Sequence, residues 1–328
     1  MNRLIVYLFT ILVTIGLCNS YVTKQKISII FDTDANNEID DQHALAYLFF
    51  NSNTFKIRGI TTNSTTNGGT VEKHFDEARR IMQLCKWHNR TPLILGANGN
   101  FEAIEKNLAT NDFDGHEAVN FIISEASKYS SNKKLVLLAV GKLTNIALAV
   151  KKNPSIIPKI RLVWLGSNYP DPGEYNLLND IESMNFLLKT DIEFEMVTVR
   201  YGKSTGTDYV KLTREEVEKN IPSLGFKILN PIIGRHGGEF FSFGQYSKSL
   251  FDNTLFHGNP PTRSLFDMAA VAIVKNPSWA KSTIIPGPVM IDKKWINQNN
   301  NKRKIKIWEH FEKDLILEDF YETLTFNN

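Results

Sequence analysis

Short β-branched runs alternate with longer runs of helical spacing along most of the chain. Residues 27–31 form a compact apolar run, a polar stretch follows, and 43–50 are again mostly apolar. That order predicts strand, loop and helix. Residues 56–62 read as a second strand. Between 72 and 84, Phe75, Ala78, Ile81 and Met82 recur at helical spacing. A short strand is predicted at 92–96 and an amphipathic helix over 117–129. The apolar run at 134–140 is nearly continuous, as in a strand buried on both faces. A helix begins at 144–151, and 160–165 and 195–200 read as further strands.

This βα alternation predicts an α/β fold: an open, mostly parallel, Rossmann-like sheet with helices on both faces. The second half is less regular. Residues 170–179 read as a polar loop with Pro and Gly, and 234–246 are rich in glycine and aromatics. Residues 297–304 form an Asn- and Lys-rich turn before a strand at 305–308. No repeat and no clear linker divides the chain, so a single domain over 21–328 is expected.

The first twenty residues stand apart. Arg3 precedes an apolar run from 4 to 17, and small or polar residues continue to Ser20. The run is short for a membrane span and fits a secretory signal peptide cleaved after Ser20. A lipoprotein through Cys18 is disfavoured by the bulky Leu17, and an uncleaved anchor is the remaining alternative. A secreted or periplasmic protein is expected, with no stable membrane association after cleavage. Loss of Arg3 lowers the net charge from +3 to +2, which gives no reason to expect nucleic acid as a partner. Cys85 is then the single cysteine, so no internal disulfide is expected. Asn63-Ser64-Thr65 and Asn89-Arg90-Thr91 are glycosylation sequons, relevant only in a eukaryotic secretory pathway.

The densest chemistry lies directly behind the first strand. Asp32, Asp34, Asp40 and Asp41 fall within ten residues. Carboxylates at the carboxyl end of a strand sit where open α/β sheets place their ligands. Like charges repel, and an all-oxygen set suits calcium or magnesium better than zinc. Gly141-Lys142-Leu143-Thr144-Asn145 follows the 134–140 strand, and Gly166-Ser167-Asn168 follows 160–165, with Glu174-Tyr175-Asn176 close behind. Asp267 precedes an apolar helical run over 268–274. Singly, each has an ordinary structural role: Asp40, Asp41 or Asp267 as a helix cap, Asn168 and Asn176 as turn residues. Their convergence on one sheet edge favours a site.

The Asp-Thr-Asp … Asp-Asp segment resembles the fingerprint of the calcium-dependent nucleoside hydrolases of the inosine-uridine type. Gly59-Ile60-Thr61-Thr62, Gly141-Lys142-Leu143-Thr144-Asn145-Ile146-Ala147, Glu174-Tyr175-Asn176 and Phe266-Asp267 follow in the same order, so the resemblance spans the chain from about Ile27 to its C-terminal helix. It implies a Ca2+ cofactor and hydrolysis of a small nucleoside to base and ribose. Asp34 would ligate calcium and act as general base on a calcium-bound water. Asp41, the Val140 carbonyl and Asp267 would complete the protein ligands. Asp40, Glu174 and Asn176 would hold ribose hydroxyls, with Asn168 and Asn67 as further members. Asp32 would orient the site without touching the ion. The family commonly forms dimers or tetramers, so a homo-oligomer is compatible with the resemblance.

The chain departs from the family pattern in three places. Asn36-Asn37-Glu38 adds two residues inside the fingerprint, replacing a Pro-Gly turn. Phe266 stands where a histidine that assists the departing base is frequent. The family's His-rich loop in the first half has no clear match, and His116 reads as a helix-start residue. Candidates for the leaving-group role are His236, His257 and the aromatics Phe240, Phe241, Phe243 and Tyr246, the last four by stacking on the base. Two alternatives stay open here: a secreted, non-catalytic calcium- or sugar-binding protein on the same scaffold, and a magnesium phosphatase of the haloacid-dehalogenase type.

Overall fold

The computed structural model describes residues 25–325; the segment 1–20 read as a signal peptide lies outside them. The alternating runs resolve into β1 (Ile27–Thr33), β2 (Phe55–Thr62), β3 (Leu93–Ile94), β4 (Leu135–Ala139), β5 (Ile160–Ser167) and β6 (Glu193–Thr198). With the later strands Lys281–Pro286 and Lys304–Glu309 they build one eight-stranded sheet. Its order runs Lys281–Pro286, Lys304–Glu309, β6, β5, β4, β1, β2, β3. Every neighbouring pair is parallel except the outermost, where Lys281–Pro286 runs antiparallel to Lys304–Glu309.

The chain leaves β1 to one side to lay down β2 and β3, then returns to lay down β4 on the other. The gap between β1 and β4 is therefore a topological switch point, where connections diverge and a crevice opens at the carboxyl ends. Asp32 pairs in register with Ala139 there. The first Asp cluster and the 141–145 turn are thus neighbours because the sheet makes them so.

Strand periodicity divides the core into two layers. Ile29 and Phe31 of β1 join one apolar cluster and Ile30 the other. On β4, Val136 and Leu138 share the first layer, while Leu135, Leu137 and Ala139 face the second. Helix α1 (Asp40–Phe50) is buried along its whole length, including its polar first turn. It packs in the first layer with the helix Phe266–Lys275, and Thr144–Lys152 covers the second. Each fully buried Leu, Ile or Phe of these layers contributes about 1.5–3 kcal/mol, so the two helix starts that carry Asp40, Asp41 and Asp267 rest on a rigid base.

Two stretches differ from the sequence expectation. The carboxyl half of the 170–179 loop is a helical turn, Tyr175–Asn179, started by Glu174, whose carboxylate accepts from the Leu177 amide at 2.8 Å. The start of 234–246 is the turn of a hairpin, with Ile232–Ile233 paired to Glu239–Phe240 and Gly237 and Gly238 at positive φ. The aromatic residues beyond it open the helix Phe243–Asp252. No helix of the described residues is long and apolar enough to cross a membrane.

Candidate active site

Five elements end on one crevice. β1 delivers Asp34 just past its last residue, α1 delivers Asp40 and Asp41 in its first turn, and β4 ends at the Val140 carbonyl. The Glu174 turn and the start of Phe266–Lys275 supply Glu174, Asn176 and Asp267. All of these line a cavity of about 840 Å³, which Asp32 does not reach. The helix-capping role fails for three of the aspartates. The residues at the N-cap positions are Ile39 and Leu265, and neither helix start has a side-chain cap. Asp40, Asp41 and Asp267 sit one or two residues further on, where the helix dipole favours negative charge by about 0.3–1 kcal/mol each.

Asp32 lies beneath the cavity and accepts hydrogen bonds from Thr61 Oγ1 at 2.5 Å, Asn63 Nδ2 at 2.6 Å and Asn145 Nδ2 at 2.8 Å. Burial still pushes its carboxyl up to about 6. Asp34 accepts from Thr65 Oγ1 at 2.5 Å and Asn37 Nδ2 at 3.3 Å, and burial raises it to about 6. Asp41 accepts from the Thr33 hydroxyl. Burial, then the charges of Asp34 and Asp40, lift it well above the usual carboxylate range. Burial takes Asp40 and Glu174 each to about 7. Asp267 is raised strongly by burial and then by Asp40, Asp41 and Asp34. The Val140 carbonyl accepts from Asn176 Nδ2 at 2.7 Å, which also reaches the Leu165 carbonyl at 3.1 Å.

Among the described residues no ion pair reaches Asp34, Asp40, Asp41, Glu174 or Asp267. Carboxylate oxygens of Asp40, Asp41 and Asp267 all lie within 4.8 Å of one another. Buried like charges so close must either hold protons or share a cation. The donor set is oxygen only, so it fits a hard divalent ion.

Several candidates stand elsewhere. The Asn168 amide is occupied by neighbouring loops, donating to the Pro172 carbonyl at 3.0 Å and accepting from the Tyr201 amide at 3.0 Å. Asn67 is exposed, and its backbone donates to the Tyr175 hydroxyl at 2.8 Å. Phe243 is buried in the core edge-on to His43, and Phe240 packs on Tyr246. Tyr246 itself donates to Glu77. The Phe241 amide donates to Gln245 Oε1 at 2.9 Å. His236 accepts from Arg235 Nε at 3.1 Å beside a separate, smaller hollow. None of these lines the main cavity, whereas His257 does. Phe266 also lines it, edge-on to Tyr201 at 5.9 Å. The sequence pattern did not single out Tyr201, Lys211 or Arg263, which complete the outer wall.

Fold and site together define an α/β protein with a buried oxygen-donor cluster at a sheet switch point. The sequence model of the inosine-uridine preferring nucleoside hydrolases matches residues 29–316, and the chain belongs to that family. A probable uridine nucleosidase 1 of Oryza sativa subsp. japonica is 26% identical over 212 residues, 55% of this chain and 60% of that protein. The non-specific ribonucleoside hydrolase RihC of Escherichia fergusonii is 28% identical over 191 residues, 52% of this chain and 60% of that protein. The matched stretches thus span little more than half of these relatives. Among solved structures, a purine-preferring ribonucleoside hydrolase from Gardnerella vaginalis superposes with a TM-score of 0.68 at 18% identity, covering 91% of this chain and 98% of that one. An inosine-uridine preferring nucleoside hydrolase from Bacillus anthracis gives 0.65 at 17%, covering 91% and 99%. At that identity the structures establish the shared fold.

Proposed function

We propose that the protein hydrolyses the N-glycosidic bond of ribonucleosides, releasing base and ribose, with calcium as its ion. The observation that carries this is one cavity lined by five buried, unpaired acidic side chains: Asp34, Asp40, Asp41, Glu174 and Asp267. Asp34, Asp41, Asp267 and the Val140 carbonyl would hold the ion. The place of Asp34 in that set rests on the family pattern, since the three mutually closest carboxylates are Asp40, Asp41 and Asp267. Calcium would supply Lewis acidity and a template for water and sugar hydroxyls.

The residues then divide the work. Thr65 and Asn37 fix the Asp34 carboxylate, which takes the proton of the water attacking C1′. Burial raises the Asp34 carboxyl to about 6 without the ion, and a bound cation would draw it back down and keep it ionised to accept the proton. Asp40, Glu174 and Asn176 orient the sugar, and the surrounding carboxylates stabilise the positive charge that grows on the ring. The relatives carry names that span uridine, pyrimidine-specific and non-specific activities. The family membership disfavours the phosphatase alternative. Export through residues 1–20 is part of the same proposal, on the sequence pattern alone.

A panel of purine and pyrimidine ribonucleosides with and without calcium is the test. Calcium-dependent release of ribose supports the reading. Release of phosphate from phosphate esters without release of ribose refutes it.

A further inference from the structure

The cavity that holds the carboxylate set is also lined by cations. Lys211, Arg263 and Lys313 line it, together with Glu38 and Asp208. Arg263 is nine-tenths buried. It belongs to the strand Thr262–Ser264, which pairs antiparallel with Lys211–Thr213, so Ser264 faces Lys211 across the ribbon. Phe266 follows three residues later, next to Asp267. Two observations single out Arg263. Its Nη2 pairs with Glu38, which lies in the two-residue insertion of the Asp fingerprint, and its buried Nε has no hydrogen-bond partner. The inserted loop and the strand leading to Phe266 therefore meet at this guanidinium, in the lining of the cavity that also holds the carboxylates.

We infer that Arg263 is a catalytic residue that stabilises the negative charge developing on the departing base. The inference rests on the hydrolase reading above. In the step, the water oxygen bonds to C1′ and its proton goes to Asp34. The bond from C1′ to the base nitrogen breaks, and its electron pair stays on the base. The base then takes a proton from solvent, and Asp34 returns its own. Positive charge thus builds on the sugar among the carboxylates, and negative charge builds on the base, where the Arg263 guanidinium would meet it. Arginine keeps its proton at any accessible pH, so it acts by charge and hydrogen bonding. That role needs no histidine at position 266, where the ring of Phe266 packs edge-on to Tyr201.

The test compares leaving groups. The calcium-loaded protein, Arg263→Gln and Arg263→Lys are assayed on inosine, uridine and a riboside of 4-nitrophenol, whose anion departs without help. Arg263→Gln is expected to lose about 10²–10³-fold in kcat on both nucleosides, the usual effect of removing one preorganised electrostatic donor. On the nitrophenyl riboside it loses less than about tenfold, with the same cited effect absent. Arg263→Lys keeps the charge and recovers part of the loss on nucleosides only. Thermal melting shows which variants are folded. If Arg263→Gln does not fold, the Arg263→Lys profile decides, because a selective loss on nucleosides still supports the assignment. An equal loss on all three substrates, or none, overturns it while leaving the hydrolase reading intact. A wild-type protein that cleaves only the nitrophenyl riboside also overturns it. One that cleaves none of the three overturns both.

Discussion

Removing the Asp32 carboxylate should cost very different amounts depending on what replaces it. The carboxylate is 2% exposed and holds three donors: Thr61, Asn63 and Asn145. Asp32→Ala leaves all three to find new partners. A buried donor left unpaired costs about 1–3 kcal/mol. Asn145 keeps its second bond, to the Thr62 carbonyl at 2.9 Å, and the Thr61 hydroxyl can rotate. A loss of about 3–5 kcal/mol is therefore expected, a large part of a typical folding stability. Asp32→Asn differs because Asn63 Oδ1 is buried without a partner. A flip of the Asn63 amide offers that oxygen to the new NH2 group. The new carbonyl stays with Thr61 and Asn145, which both bond the same oxygen, Oδ2. All three contacts survive. The buried charge disappears together with the charge-assisted bonds it made; burial raises the Asp32 carboxyl while Thr61, Asn145 and Asn63 lower it. The opposed effects should leave Asp32→Asn within about 1.5 kcal/mol of wild type. Urea unfolding of the three proteins at pH 7.5 with chelator present measures this, provided the slopes match. Equal destabilisation of the two variants, or a loss below about 1 kcal/mol for alanine, refutes the account of how the site is supported.

The remaining expectations concern the cavity. Asp34→Asn should keep the fold and lower kcat by at least about 10³-fold, as the loss of a proton acceptor would; turnover near wild type in steady-state assays would remove Asp34 from its role. Chelation should lower the melting temperature, since an ion at 100 times its Kd stabilises by about 2.7 kcal/mol, and an unchanged melt counts against the metal. In chelator, stability should fall as pH rises from about 4 to about 7. Asp40 and Glu174 hold their protons to about 7 in the folded protein, while the unfolded chain has released them, so the folded state binds more protons across that window. Calcium should therefore protect more at pH 8 than at pH 5 in thermal scans, and a flat or opposite trend refutes the shared-cation argument.

The inner half of the site was legible in the sequence. Asp34, Asp40, Asp41, Val140 and Asp267 each adjoin an apolar run long enough to identify a strand or helix, and the parallel sheet brings those ends together. The outer wall was not. Lys211 and Arg263 come from a two-stranded ribbon of three residues each, some fifty positions apart, too short to show a period. Asn168 illustrates the opposite limit. A loop asparagine after a strand looks the same in sequence whether its amide faces a ligand or, as here, ties its loop to the next one. The Tyr175–Asn179 turn escaped notice because Pro170 and Gly173 dominate that stretch, while the cap that starts it is a glutamate, a residue more familiar inside helices than at their beginning.

The central claim is that one buried oxygen-donor cluster both holds the ion and performs the cleavage. Titrating calcium into the metal-free protein while following bound ion and released ribose together tests it most directly. Binding and turnover should rise in step and saturate at one ion per chain, with base and ribose formed in equal amounts. Calcium occupancy that saturates with no ribose released, or turnover indifferent to calcium, would contradict it.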